Sequence, residues 1–236
     1  MLPDPEVLAD QILEVTSQRR PPTDVRAILG KWPQLSVLET ELDGDGLFVD
    51  LGDVGGQILI KKDKQETRKR FTLAHELGHF LLRHHIREQV KKQEMESWCN
   101  NFAAAILLPK LLVLRHLKAG GLRQLTERLR EGPTVFQVSE KAFYLRITHL
   151  FPISVVNVLL SNSAVSVIDE YHSEQLQECL GDRKVIWDSA LENFLRGLAD
   201  ASAGQCQLRQ HDRTWLARRI YRDSKNQKFL LVLLSR

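Results

Sequence analysis

The sequence has few of the features that mark secreted, membrane-bound or disulfide-stabilised proteins. Its 236 residues include three widely spaced cysteines and no CxxC pair, which argues against a disulfide framework or a cysteine-based zinc knuckle. Apolar runs such as residues 229–234 fall far short of the roughly 18–20 residues needed to cross a bilayer. The N-terminus shows no basic segment followed by an apolar one. We therefore expect a cytoplasmic protein with no membrane partner.

Charge is nearly balanced in total but not along the chain. The formal net charge is +3, which by itself gives no evidence for nucleic-acid binding. Residues 1–60 hold 11 acidic and 4 basic residues, whereas residues 61–92 hold 10 basic and 4 acidic ones. This basic stretch is predicted to dock a protein substrate, to contact DNA or to form a solvated loop. The docking candidates are Lys61, Lys62, Lys64, Arg68, Lys69 and Arg70.

Hydrophobic periodicity predicts an α+β chain. Residues 71–86 and 94–108 have helical spacing, whereas residues 35–60 alternate and are broken by Asp-Gly and Gly-Gly pairs, which predicts short antiparallel strands. Residues 122–150 indicate two helices with a break at Gly132-Pro133. We therefore predict a domain over residues 1–120, a helical segment over residues 121–152 and a small α+β domain over residues 153–236.

The first predicted domain contains the motif His75-Glu76-Leu77-Gly78-His79, an H-E-x-x-H pattern. On a helix, residues four apart are separated by about 40° of rotation and about 6 Å of rise, so both imidazoles can bind one metal ion. Glu76 can then act as the general base on a water that the metal activates. The motif predicts hydrolysis, although a helix whose histidines only face the core or solvent has the same pattern.

A catalytic zinc site usually has a third protein ligand, which a second helix can supply. Glu96 lies 17 residues after His79 in a segment whose small residues, Ala103 to Ala105, allow close helix packing. We predict Glu96 as this ligand, with Glu94 as its rival. Asn100, one turn further on, is predicted to orient a metal ligand through a hydrogen bond. The expected metal is Zn²⁺, with Mn²⁺ as the alternative.

Two segments resemble a known family. The sequences RFTLAHELGH at residues 70–79 and ESWCNNFAAAILLP at residues 96–109 are similar to the ImmA/IrrE family of bacterial and phage metallopeptidases. Within that family they look most like the IrrE (PprI) radiation-response regulators of deinococci. The resemblance is strong over about residues 45–110 and weaker over residues 122–150. From Ile153 onward no motif carries over.

The resemblance implies a function and completes the expected fold. It implies a zincin-like domain, a helix-turn-helix-like segment and a GAF-like C-terminal sensor domain. It implies His75, His79 and Glu96 as metal ligands and Glu76 as the catalytic residue. The implied substrate is a helix-turn-helix transcriptional repressor, whose cleavage releases stress and DNA-damage response genes. The alternative function is a stress sensor that binds DNA or a protein without cleaving it; the sequence indicates no oligomeric state.

Overall fold

The computed structural model describes residues 2–83, 90–118, 122–161, 165–174, 193–196, 205–210, 213–222 and 226–235. The chain divides into two compact units. The first comprises residues 1–115 and 133–140, and the second comprises residues 116–132 and 141–236. The prediction of an α+β fold is confirmed.

Within the described residues, the first unit contains four α-helices that precede residue 110. They are α1 (Pro5–Val15), α2 (Val25–Leu29), α3 (Glu66–Leu82) and α4 (Lys92–Leu107). Asp4 caps α1 by accepting hydrogen bonds from the backbone N–H groups of Glu6 and Val7. Helix α3 begins five residues before the predicted start, because part of the charged connector forms its first turn.

A three-stranded sheet lies against α3. Its strands are β1 (Leu35–Thr40), β2 (Gly46–Asp50) and β3 (Gly56–Lys61), in the order β1-β3-β2. The prediction of antiparallel pairing is right for β2 with β3 and wrong for β1, which pairs parallel to β3. The reason is that β3 lies between β1 and β2, which run in opposite directions. It must therefore pair parallel to one of them, and β2 is left as an edge strand.

The core of this unit lies between α3, α4 and the sheet. Leu77, Phe80 and Phe102 from the helices and Ile58 and Ile60 from β3 are almost fully buried. Burying each such side chain contributes about 1.5–3 kcal/mol. The packing fixes the rotation of α3 and α4, so that their polar stripes face the same cleft.

Three further helices follow: α5 (Lys110–Leu117), α6 (Leu122–Phe136) and α7 (Glu140–Leu150). The predicted break at Gly132-Pro133 is wrong, because α6 continues through Pro133 and ends where Gln137 adopts a positive φ of 52°. Gly132 instead permits a close approach: a Cβ atom there would lie 2.0 Å from the Phe143 ring. Arg146 on α7 is buried, which makes it a poor candidate for a DNA contact.

The second unit contains a five-stranded antiparallel sheet in the order β5-β4-β8-β7-β6. The strands are β4 (Ile153–Ser161), β5 (Val165–His172), β6 (Gln205–Gln210), β7 (Arg213–Arg222) and β8 (Asn226–Ser235). The apolar segment at residues 229–234 forms the predicted strand within β8 at the centre of this sheet. The division into three parts at residues 120 and 152 and the GAF-like assignment stay predictions.

Within the described residues, no single helix is long and apolar enough to cross a membrane. Only α4 and α5 taken together, as a pair bent by 47°, reach that length and composition.

Candidate metal centre

The two histidines of the motif converge on one side of α3. Their positions one turn apart bring His75 Nε2 and His79 Nε2 to 3.1 Å from each other. Both imidazoles are largely buried, with 14% and 15% of their side chains exposed. Burial is the main cause that lowers the pKa of each imidazole. Both rings are therefore neutral at pH 7, which is the form that binds a metal.

Helix α4 brings Glu96 to the same point. Its carboxylate oxygens lie 3.3 Å from His75 Nε2 and 3.7 Å from His79 Nε2. Gly78 permits this approach of the two helices, because a Cβ atom there would lie 3.1 Å from Cys99 Sγ. The alanines of α4 predict this close packing, whereas the sequence gives no sign of the part played by Gly78.

The three side chains fit a divalent metal. Their ligand atoms all lie within 4.8 Å of one another, and His75, His79 and Glu96 are the one such cluster found in the described part of the chain. A tetrahedral zinc ion with bonds of about 2.0–2.1 Å places its ligand atoms about 3.3 Å apart. The observed distances of 3.1, 3.3 and 3.7 Å bracket that spacing.

Asn100 contacts His75 at Nδ1, the ring nitrogen that is not part of the cluster. Its Oδ1 atom lies 3.0 Å from His75 Nδ1 and accepts a hydrogen bond if that nitrogen carries the proton. In that tautomer the Nε2 lone pair is free to face the metal position. Asn100 therefore both orients the ring and selects the tautomer that binds a metal.

Replacing Asn100 with alanine is expected to weaken metal affinity by about 10–100-fold, because His75 loses the group that fixes its ring and tautomer. Competition with a chromophoric chelator measures this change. Asn101 on the same helix is exposed and lines no part of the cleft, so Asn101→Ala is the matched control. Equal affinities for the two variants would contradict the role of Asn100.

Glu76 lies on the inner side of the cluster. Only 7% of the residue is exposed, and this burial raises the pKa of its carboxyl to about 7. The nearby Glu96 carboxylate raises the pKa further, whereas a hydrogen bond from the Phe48 backbone N–H opposes the shift. Glu76 can therefore both accept and donate a proton near neutral pH.

This raised pKa makes the stability of the metal-free protein depend on pH. Between its ordinary value of 4.5 and about 7, Glu76 binds its proton more tightly in the folded state, so its contribution to stability falls as pH rises through that window. At 1.36 kcal/mol per pKa unit the loss amounts to roughly 3 kcal/mol. Urea unfolding at pH 5 and pH 8 should show Glu76→Gln gaining stability relative to the wild type at the higher pH. A constant difference between the two proteins would contradict the shift.

The cluster opens into a cleft of about 700 Å³. Residues of β2 line one side, and Phe71 from α3 and Met95 from α4 lie on other sides. Glu96 is the most open member of the cluster, with 41% of its side chain exposed. The candidate metal position is therefore open to solvent on that side.

The structure pairs most of the predicted docking residues with acidic residues from the first sixty positions. Lys62 bonds to Glu41, Lys69 bonds to Glu39, and Lys64 and Arg68 both bond to Asp45. Lys69 is also nearly buried, with 11% of its side chain exposed.

The remaining two docking candidates, Arg70 and Lys61, also make hydrogen bonds within the first unit. Arg70 Nη2 donates to the backbone oxygens of Thr23 and Phe136, at 3.0 and 3.4 Å. Lys61 ends β3, and its backbone N–H donates to Asp45 O at 2.9 Å. Four basic residues of the stretch thus pair with acidic residues from the first sixty positions within one unit. Docking through these six residues stays a prediction.

Comparisons with known proteins agree with this geometry. Residues 37–148 match the family model described as Peptidase_M78, IrrE N-terminal-like domain. No curated protein matches the chain. A solved structure described as a Mycobacterium tuberculosis transcriptional regulator is similar with a TM-score of 0.58 and 13% identity, over 99% of this chain and 77% of that one.

A second solved structure is the sensor domain of the zinc-responsive histidine kinase CzcS from Pseudomonas aeruginosa. It covers 63% of this chain and 100% of that one, with 13% identity and a TM-score of 0.25.

Proposed function

We propose that the chain, whose residues 37–148 match the IrrE N-terminal-like model of Peptidase_M78, is a metal-dependent endopeptidase that cleaves a helix-turn-helix transcriptional repressor. One observation carries this proposal. His75, His79 and Glu96 converge beside a buried carboxylate whose pKa is about 7, in a cleft of about 700 Å³. A purely structural metal site does not require a buried carboxylate such as Glu76 beside its ligands.

Each residue of the centre has a role in peptide hydrolysis. His75, His79 and Glu96 would hold the metal, and Asn100 keeps the His75 ring in place. When bound, zinc lowers the pKa of water to about 7 and polarises a carbonyl group. Glu76 accepts a proton from the attacking water and returns it to the leaving amine. Two imidazoles and one carboxylate also suit Mn²⁺, which is the alternative cofactor.

We further propose that cleavage acts on gene regulation in the cytoplasm, by removing a repressor from stress or DNA-damage response genes. The family-model match supports this, and a solved structure similar in fold is a Mycobacterium tuberculosis transcriptional regulator. DNA enters this scheme only as the site from which the repressor is released.

The proposal is tested with the purified chain, Zn²⁺ or Mn²⁺, and candidate helix-turn-helix repressors. We expect one cut at a single position, read by intact-mass spectrometry, and no cut in the presence of a chelator. Binding of a repressor or of DNA without any cut, with metal fully loaded, would instead favour the non-proteolytic sensor.

A further inference from the structure

The edge strand β2 makes an unusual contact with the centre. The backbone of Phe48 acts on the Glu76 carboxyl as a hydrogen-bond donor that lowers its pKa, and a Cβ atom added at Gly46 of the same strand would lie 3.0 Å from Glu76 Oε1. Lys61 N–H donates to Asp45 O, and Leu51 N–H donates to Gly55 O, so residues 45 and 51 direct their backbone groups towards β3. Backbone direction alternates along an antiparallel strand, which leaves Phe48 N–H outside the ladder. Its partner is the side chain that the proposed reaction uses as base.

Gly46 makes this contact sterically feasible. A Cβ atom at this position would lie 2.2 Å from Thr72 Cγ2 and 3.0 Å from Glu76 Oε1. Both distances are shorter than a normal van der Waals contact, so any larger residue would push β2 away from α3 or displace Glu76. Thr72 is itself buried and cannot move aside freely.

The Phe48 side chain fixes the strand at the same place. Its ring packs edge-to-face on Phe80, with centroids 5.8 Å apart. Gly56 on β3 leaves room for the ring, since a Cβ atom there would lie 2.4 Å from Phe48 Cε2. Phe48, whose backbone N–H acts on Glu76, is therefore held in place by its packing against Phe80 and Gly56.

We propose that β2 is the positioning strand for Glu76: the Phe48 amide orients the carboxylate, and Gly46 lets the strand approach closely enough to do so. One carboxylate oxygen is then occupied, and the other can exchange a proton with water or a leaving amine. Phe48 and Gly46 are positioning residues, because they act through Glu76. The inference rests on the proposed function, since orientation of Glu76 matters only if it moves a proton.

The contact is tested first without any substrate, by amide hydrogen exchange in the full-length chain. Phe48 should exchange slowly in the wild type, and Glu76→Ala should speed its exchange about tenfold or more, because a hydrogen bond to a charged group is lost. The Val49 amide, which faces β3, should not change. Equal exchange of Phe48 in the two proteins would overturn the inference.

The consequence is tested by kinetics and metal content. Gly46→Ala should lower kcat by about 10–100-fold through misplacement of Glu76, with KM and bound metal unchanged. Gly44→Ala is the matched control, because an added Cβ there meets nothing closer than Gly46 O at 3.8 Å. In a Glu76→Gln background, Gly46→Ala should cause no further loss, as expected for two residues acting as one unit.

The outcomes separate the two proposals. Equal losses from Gly46→Ala in both backgrounds would mean a purely structural glycine and would overturn the positioning role. A wild-type chain that cleaves no repressor would refute the proposed function, whereas the exchange experiment would still decide whether β2 holds Glu76. Should Gly46→Ala not fold, the exchange of Phe48 in Glu76→Ala decides the contact alone.

Discussion

Exchanging Glu76 for glutamine is expected to lower kcat for repressor cleavage by about 10²–10⁴ while the metal stays bound. Glutamine has nearly the same shape, and its Oε1 atom can still accept the hydrogen bond from Phe48 N–H. It cannot accept a proton from water at neutral pH. His75, His79 and Glu96 are unchanged, so metal affinity should remain close to that of the wild type. Single-turnover rates and bound metal, measured on the same sample, check both halves of this expectation.

Glu94→Gln is the matched control for this experiment. Glu94 lies in the first turn of α4, is exposed, and does not line the cleft. The same chemical change there should leave cleavage unaltered. Cleavage by Glu76→Gln at the wild-type rate would contradict the mechanism, and loss of metal from that variant would show that Glu76 has a role in holding the ion.

The second large effect is expected from replacing Glu96 with alanine, which should remove bound metal and with it all cleavage. Glu96 is the one anionic group among the three candidate ligands, and its oxygens face both histidine Nε2 atoms. Losing a direct ligand should reduce metal affinity by more than the 10–100-fold expected from losing a group that hydrogen-bonds to a ligand. Metal content after dialysis and titration calorimetry with Zn²⁺ measure this loss.

The rival ligand supplies the control. Glu94→Ala removes the same group two positions earlier on α4 and should leave the affinity for Zn²⁺ unchanged. Full metal occupancy in Glu96→Ala would remove Glu96 from the centre, and a loss in Glu94→Ala would favour the rival assignment.

The part of the centre that lies on one helix could be predicted from the sequence. The spacing of His75 and His79 fixes their relative position once α3 forms, because helix geometry is local. Glu96 required one further step, the packing of α4 on α3, which the helical spacing of apolar residues indicated. The structure brings all three residues and Asn100 together at hydrogen-bonding or ligand distances.

The contribution of β2 could not be predicted in the same way. Gly46 ends an Asp-Gly-Asp-Gly segment, which indicates a turn, and nothing in that segment shows that the glycine faces Glu76 thirty positions later. The contact of Phe48 is made by its backbone, and backbone donors do not depend on residue type. A search for glycines next to a predicted active-site helix could have selected Gly46 but not established its role.

The basic stretch shows a second limit of sequence reasoning. Its charge suggested a docking surface, yet Asp45 binds Lys64 and Arg68, and Glu39 binds Lys69. These partners lie 19 to 30 positions apart and meet only because the three-stranded sheet packs beside α3 through β2 and β3. Exposed ion pairs such as those of Lys64 and Arg68 with Asp45 each contribute about 0–1 kcal/mol, so they offset local charge more than they stabilise the fold.

The family match begins at residue 37, but the folded unit does not. Helix α1 packs along α4, where Trp98 is nearly buried and its indole N–H donates to Pro3 O at 2.6 Å. A fragment cut at the edge of the homologous segment would therefore expose this side of the helix that carries Glu96. Exposed apolar surface of this kind promotes aggregation, and a recombinant catalytic fragment that is to stay in solution needs to retain α1 and the residues before it.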